Sequence, residues 1–234
     1  MTSIDHVTRD IEETFPDCKV YLDPKDVPPG LALPPGWHRF GLSLEAPPQH
    51  PAGWSGFSTE FPTTLRLLDE CLLGTVLLVG AEIEMAYIFH DDSSVYYYVG
   101  GAPVTEAALV TPEFKRLPAR LQDFHREVHD GYTFFPARSM GPQRLCDQSR
   151  VSDMIDEEDD SFARSWITVF SNGGGDYVAV EEGRLEDAAG LIWWHEAPET
   201  PERGIDIFAV MDAWMAMFLE DTRPRRFVAS SLLD

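Results

Sequence analysis

Cysteine is scarce and shows no pairing pattern: Cys18, Cys71 and Cys146 are odd in number, far apart and outside any CxxC spacing. That excludes a disulfide framework and predicts free thiols in a reducing compartment. Basic side chains are also scarce, 18 Lys and Arg against 40 Asp and Glu, for a formal net charge of -22. Phosphates are held by clustered Lys and Arg, so this balance argues against unaided binding to nucleic acid or an anionic membrane. Long apolar runs are missing. The longest nearly uncharged one, Leu72 to Ala81, is about half of the roughly 20 residues that a spanning helix needs. The opening Thr2-Ser3-Ile4-Asp5-His6 has no basic segment followed by an apolar one, so no export signal is expected and the location expected is cytoplasmic.

What is present suffices for a sizeable core: 234 residues, 44% hydrophobic and 12% aromatic. Ile4, Val7, Ile11 and Phe15 recur at helical spacing and predict an N-terminal helix capped by Ser3 and ended by Pro16. Nine of the 18 prolines lie between Pro24 and Pro62, which excludes regular helix or central strand there. Trp37, Phe40, Trp54, Phe57 and Phe61 are expected to pin that loop to the core. A second helix is predicted with Phe61, Leu65, Leu68 and Leu72 on one face and Gly74 as its stop. Thr75–Val79, Met85–Phe89 and Val95–Val99 read as a strand meander, with Asp91-Asp92-Ser93-Ser94 as a hairpin loop.

Thr111-Pro112-Glu113 signals another helix start. Leu117, Leu121, Phe124 and Val128 mark its buried face up to Asp130-Gly131, with a break at Pro118. Further strands are expected at Trp166–Phe170, Asp176–Val180 and Leu191–His195, joined too tightly for crossover helices. The last helix places Ile207, Val210, Met211, Trp214, Met215 and Phe218 on one predicted face behind an Asp206 cap, with Arg223, Arg225 and Arg226 at its end. The fold class is therefore α+β, a mainly antiparallel sheet flanked by helices.

Four pieces occur in order in the C-terminal half. They are Leu117-Pro118 opening a helix with Leu121, Phe124 and His125; Phe170-Ser171-Asn172-Gly173-Gly174-Gly175-Asp176-Tyr177; Trp193-Trp194-His195-Glu196; and the helix ending Phe218-Leu219-Glu220. In this the stretch from Leu117 to Glu220 resembles the SMI1/KNR4 (SUKH) superfamily. In that family a Gly-rich hairpin joins strands with GDY-like and WxHE-like sequences, and an amphipathic helix closes the fold. Where the family usually has Asn-Gly after the first helix, this chain has Asp130-Gly131, and the first 110 residues lie outside the resemblance. The resemblance implies a SUKH-like domain over 112–222, preceded by an α/β extension over 1–111 and followed by a tail over 223–234. It also implies a binding protein without shared catalytic residues. Bacterial members are mostly immunity proteins against polymorphic or contact-dependent toxins, and fungal relatives are regulatory scaffolds.

The run Asp153-Met154-Ile155-Asp156-Glu157-Glu158-Asp159-Asp160 puts six acids in eight residues, a steering strip for a basic partner or a solvated loop. It lacks the glycine and ligand spacing of an EF-hand. Imidazole and carboxylate cluster at His90-Asp91-Asp92 and at His195-Glu196, the only candidates for a metal-dependent hydrolase. No HExxH, HxH or CxxC supports them, and His195 reads equally as a hydrogen-bonding residue that orients a loop. No serine sits in a GxSxG elbow, and Gly173-Gly174-Gly175 precedes a strand rather than a phosphate-binding helix. Tyr96-Tyr97-Tyr98 and Trp193-Trp194 must present rings to both faces of a strand, which makes Tyr97, Trp193 and Trp194 candidate interface anchors. The expectation is a non-enzymatic cytoplasmic immunity protein that needs no cofactor. It would bind one basic cognate toxin through Asp156, Glu157, Glu158, Asp159 and Asp160 with those aromatics, the alternatives being a general interaction scaffold and the hydrolase.

Overall fold

The structure is a computed structural model that describes residues 4–43, 47–91, 93–155, 163–182 and 190–225. The fold is α+β, with antiparallel sheets and short connections. The chain forms two compact units, residues 1–102 with 216–234, and residues 103–215.

In the first unit, α1 (Ile4–Thr14) buries Val7 and Ile11, and Phe15 follows them into the core before Pro16 ends the helix. After β1 (Lys19–Tyr21), the Pro-rich stretch contributes short 3-10 turns at Pro24–Asp26 and Ala52–Phe57 and one two-residue strand, β2 (Gly41–Leu42). All five of its aromatics are buried, and Trp54 Nε1 donates to Tyr87 Oη at 2.8 Å. The loop thus has fixed packing although its backbone lacks amides for a ladder.

Next comes α2 (Pro62–Cys71), with Pro62 in the first turn and Thr64, Leu67, Leu68 and Cys71 buried. It ends three residues before Gly74. That glycine instead opens β3 (Gly74–Val79), because Leu72 is already extended and leads into the strand. β3, β4 (Ile83–His90) and β5 (Val95–Gly101) form the expected meander, with Thr75 opposite Tyr87 and His90 opposite Val95. β1 and β2 share the outer edge of β3. The chain returns to this unit at its end: Arg223 N donates to the His90 carbonyl at 2.7 Å and Arg225 N to the Glu70 carbonyl at 3.0 Å.

In the second unit, Thr111 caps the short α3 (Pro112–Lys115), and α4 (Ala119–Glu127) restarts after Pro118. Leu117, Leu121, Phe124 and Val128 are buried. Three strands that carry no alternating pattern follow from pairing alone: β6 (Asp130–Phe135), β7 (Gly141–Pro142) and, later, β11 (Glu202–Ile205). β7 and β11 join β8 (Trp166–Ser171), β9 (Tyr177–Glu181) and β10 (Gly190–Trp193) in a five-stranded antiparallel sheet that runs β11-β10-β9-β8-β7, of which β6 is not a strand. One face carries Trp166, Ala179, Leu191 and Trp193, with Val151, Met154 and Ile155 packed on it. Toward the other face lies α5 (Ile207–Leu219), whose Trp214 meets Phe170 at 5.7 Å and Trp194 at 6.2 Å between ring centroids. Asp206 Oδ1 caps α5 through Phe208 N and Ala209 N. Ile207, Met211 and Met215 are buried as expected, but Val210, Trp214 and Phe218 are only half-buried, and Phe208, Ala216 and Leu219 complete the buried set. Among the described residues, no helix is long and apolar enough to cross a membrane.

Candidate functional site

The chemistry of the second unit gathers around the hairpin between β8 and β9. Asn172 folds it: Oδ1 accepts from Gly174 N at 2.8 Å and Asp176 N at 3.0 Å, while Nδ2 donates to Asp176 Oδ2 at 2.7 Å. Gly175 has φ +102°, and a Cβ there would lie 3.0 Å from the His195 ring, so a side chain would be strained by the backbone and crowded against the imidazole. Asp176 Oδ1 accepts from His195 N at 3.0 Å and faces His195 Nδ1 at 2.7 Å. An ionised carboxylate only accepts, so Nδ1 carries the proton. Burial works against the charge of Asp176, yet the bonds from His195 and Asn172 outweigh it and hold the carboxyl below its ordinary range. The Asp176 side chain is mostly covered, 14% exposed, whereas that of His195 is 46% exposed. His195 is therefore an oriented, solvent-facing imidazole, hydrogen-bonded to a residue 19 positions upstream.

A second constellation lies on the Trp193 face of the same sheet. The 3-10 turn Val151–Met154 and Ile155 pack there, and so does Ala163. Arg150 braces this arrangement: its guanidinium donates to the Arg164 carbonyl and pairs with both Glu182 oxygens, at 3.1 and 2.8 Å. Asp156, Glu157, Glu158, Asp159 and Asp160 lie outside the described residues, but the residues on either side, Ile155 and Ala163, are both fixed to the sheet.

The proposed aromatic anchors separate. Tyr97 is 4% exposed, covered by α1, with Phe15 edge-on at 5.2 Å and its hydroxyl donating to Asp10. Trp193 is 5% exposed beneath the Val151–Ile155 segment, its Nε1 buried without a hydrogen-bond partner. Neither is a surface anchor, because each strand is covered on the face where an exposed ring was expected. Trp194 is half-buried against Trp214 and retains an accessible part.

His90 is 4% exposed with Nδ1 on the Asp91 carbonyl at 2.9 Å, and Asp92 lies outside the described residues. Asp91 uses Oδ1 to cap Ser93 N and Ser94 N and Oδ2 to accept from Tyr96, which holds it far below the ordinary carboxyl range. Among the described residues no group of three His, Cys, Asp or Glu side chains is placed to hold a metal ion. Burial raises the thiols of Cys71 and Cys146, the opposite of what a nucleophile requires. The chain matches no family model, no curated protein and no solved structure.

Proposed function

We propose that this chain is an immunity-type binding protein of the kind its SMI1/KNR4 resemblance implies, acting in the cytoplasm by stoichiometric occlusion of a basic toxin. The observation that carries the reading is the charge distribution. A net of -22 culminates in six acids within residues 153–160, and the chain on both sides of the strip is pinned to one sheet. Like charges clustered along the chain raise the potential that steers a cationic partner and can cover a phosphate-binding surface on arrival. An electrostatic blocker needs no reaction of its own.

The test is capture of the tagged protein from its own cells at low salt, followed by gel filtration and growth assays with each partner expressed alone or together with it. One basic protein in fixed stoichiometry, toxic alone and harmless with this chain, supports the proposal. Several substoichiometric partners favour the scaffold alternative. Replacing Asp156, Glu157, Glu158, Asp159 and Asp160 with Ser or Asn should slow association roughly tenfold and flatten its salt dependence. Unchanged association would reduce the strip to a solvated loop.

A further inference from the structure

Helix α5 is apolar on its exposed side as well as on its buried one. Its sequence, Ile207–Leu219, contains one ionisable residue, Asp212, and that residue is buried at 6% exposure while Met217 stands 60% exposed. The outward column is Ala209, Ala213 and Met217, at i, i+4 and i+8, and beside it run the half-buried Val210, Trp214 and Phe218 at the same spacing. Two adjacent columns of this spacing make one face of a helix. Three large apolar side chains are exposed among the described residues, Ile4, Val110 and Met217, and of these Met217 belongs to this two-column face. A surface helix ordinarily turns polar residues to water, and a continuous apolar face rimmed by charge marks an interaction site. The charged residues that directly flank it are acidic: Asp206 is exposed at the helix start and Glu220 and Asp221 just beyond its end, with the exposed Arg203 and Arg223 further along the chain on either side.

We infer that this face of α5 is the docking surface for an amphipathic helix of a basic partner protein. The partner's apolar stripe would lie along Ala209, Ala213 and Met217, and its Lys or Arg residues would meet Asp206, Glu220 and Asp221. The small side chains at 209 and 213 let a second helix approach closely, and Trp214 and Met217 supply the large contact area that anchors such interfaces. Charge selects the occupant. Pairing two copies through this face would bring together two chains of net charge -22, whereas a cationic helix gains from the same field. The inference rests on the basic-partner reading above and adds to it a second contact surface, on α5.

The probe is a synthetic 18-residue Leu/Lys peptide with helical period, compared with a scrambled peptide of the same composition. Binding is followed by fluorescence anisotropy at physiological salt, with far-UV circular dichroism confirming the fold of each variant. Ala213→Arg and Met217→Arg should weaken the periodic peptide at least tenfold. The milder Met217→Ser, which keeps the helix free of a new charge, should weaken it about threefold, and neutralising residues 156–160 should leave most of the affinity. Equal affinity for periodic and scrambled peptides, or unchanged affinity in all three helix variants, overturns the assignment. It is also overturned if the wild type sediments as a dimer that Met217→Arg dissociates, or if the peptide binds only after residues 226–234 are removed. If neutralising 156–160 alone abolishes binding, this surface is wrong and the proposed function stands. If the captured toxin binds the helix variants and the strip variant as it binds the wild type, both fall.

Discussion

Asp176 serves three donors with two oxygens, and that economy makes it the residue on which the hairpin depends. Replacing it with Ala orphans the His195 amide and the Asn172 side-chain amide at once, and should cost on the order of 1–3 kcal/mol, read as a lower urea midpoint. Asp130 plays the same part nearer the core. Its Oδ1 faces His125 Nδ1 at 2.9 Å and accepts from Leu145 N at 2.9 Å; burial raises its pKa, but these bonds lower it further. Both carboxyls are depressed in the folded state, so their contribution is complete above the unfolded value of about 4 and is lost as pH falls through the folded values. Urea midpoints should therefore drop between pH 7 and pH 3, and Asp130→Asn with Asp176→Asn should flatten that drop while lowering the midpoint at pH 7. His195 was visible in the sequence as a residue of interest. Its partner was not, because a contact 19 residues away leaves no local mark.

At the scale of elements, α5 illustrates what periodicity reports. Every third or fourth position is apolar, so the helix and its Asp206 cap were legible, and Asp206→Ala should destabilise by about 1 kcal/mol. The buried face was legible only in part, at Ile207, Met211 and Met215, because a helix apolar on nearly every side gives little contrast to read. The structure resolves it by packing, since a Cβ on Gly190 would lie 2.0 Å from Ile207 Cγ2. Gly190→Ala should accordingly cost about 1–3 kcal/mol through overpacking, seen as a lower melting temperature with unchanged secondary structure. The strands β3 to β5 announced themselves by β-branched and aromatic content. β7 and β11, two residues with a proline and four largely exposed ones, did not. Tyr97 was misplaced for a related reason: alternation says that a ring leaves one face of a strand and is silent on whether a helix waits there.

The whole molecule combines a diffuse negative field with a discontinuous first unit. The field is long-ranged and salt-dependent, so association with any basic partner should slow markedly between 50 mM and 500 mM salt. Discontinuity was the property least open to sequence reasoning. Residues 216–225 belong with 1–102, and the backbone bonds that tie them in, Arg223 to His90 and Arg225 to Glu70, join residues more than a hundred positions apart. A chain cut after Leu219 loses both bonds and should show a lower urea midpoint for the Trp54 environment, with the hairpin at His195 unaffected.

That connectivity orders events during synthesis. Residues 1–102 leave the ribosome before residues 103–215 yet remain short of their closing segment until residues 216–225 have been made. Residues 103–215 meanwhile emerge whole and unbroken. At roughly 5–20 residues per second, the first unit waits on the order of ten seconds with its Pro-rich, aromatic-laden loop in place of a finished core. Of the two units, the one whose synthesis starts earlier is therefore the one that completes later, and it is where nascent-chain chaperones would be engaged longer.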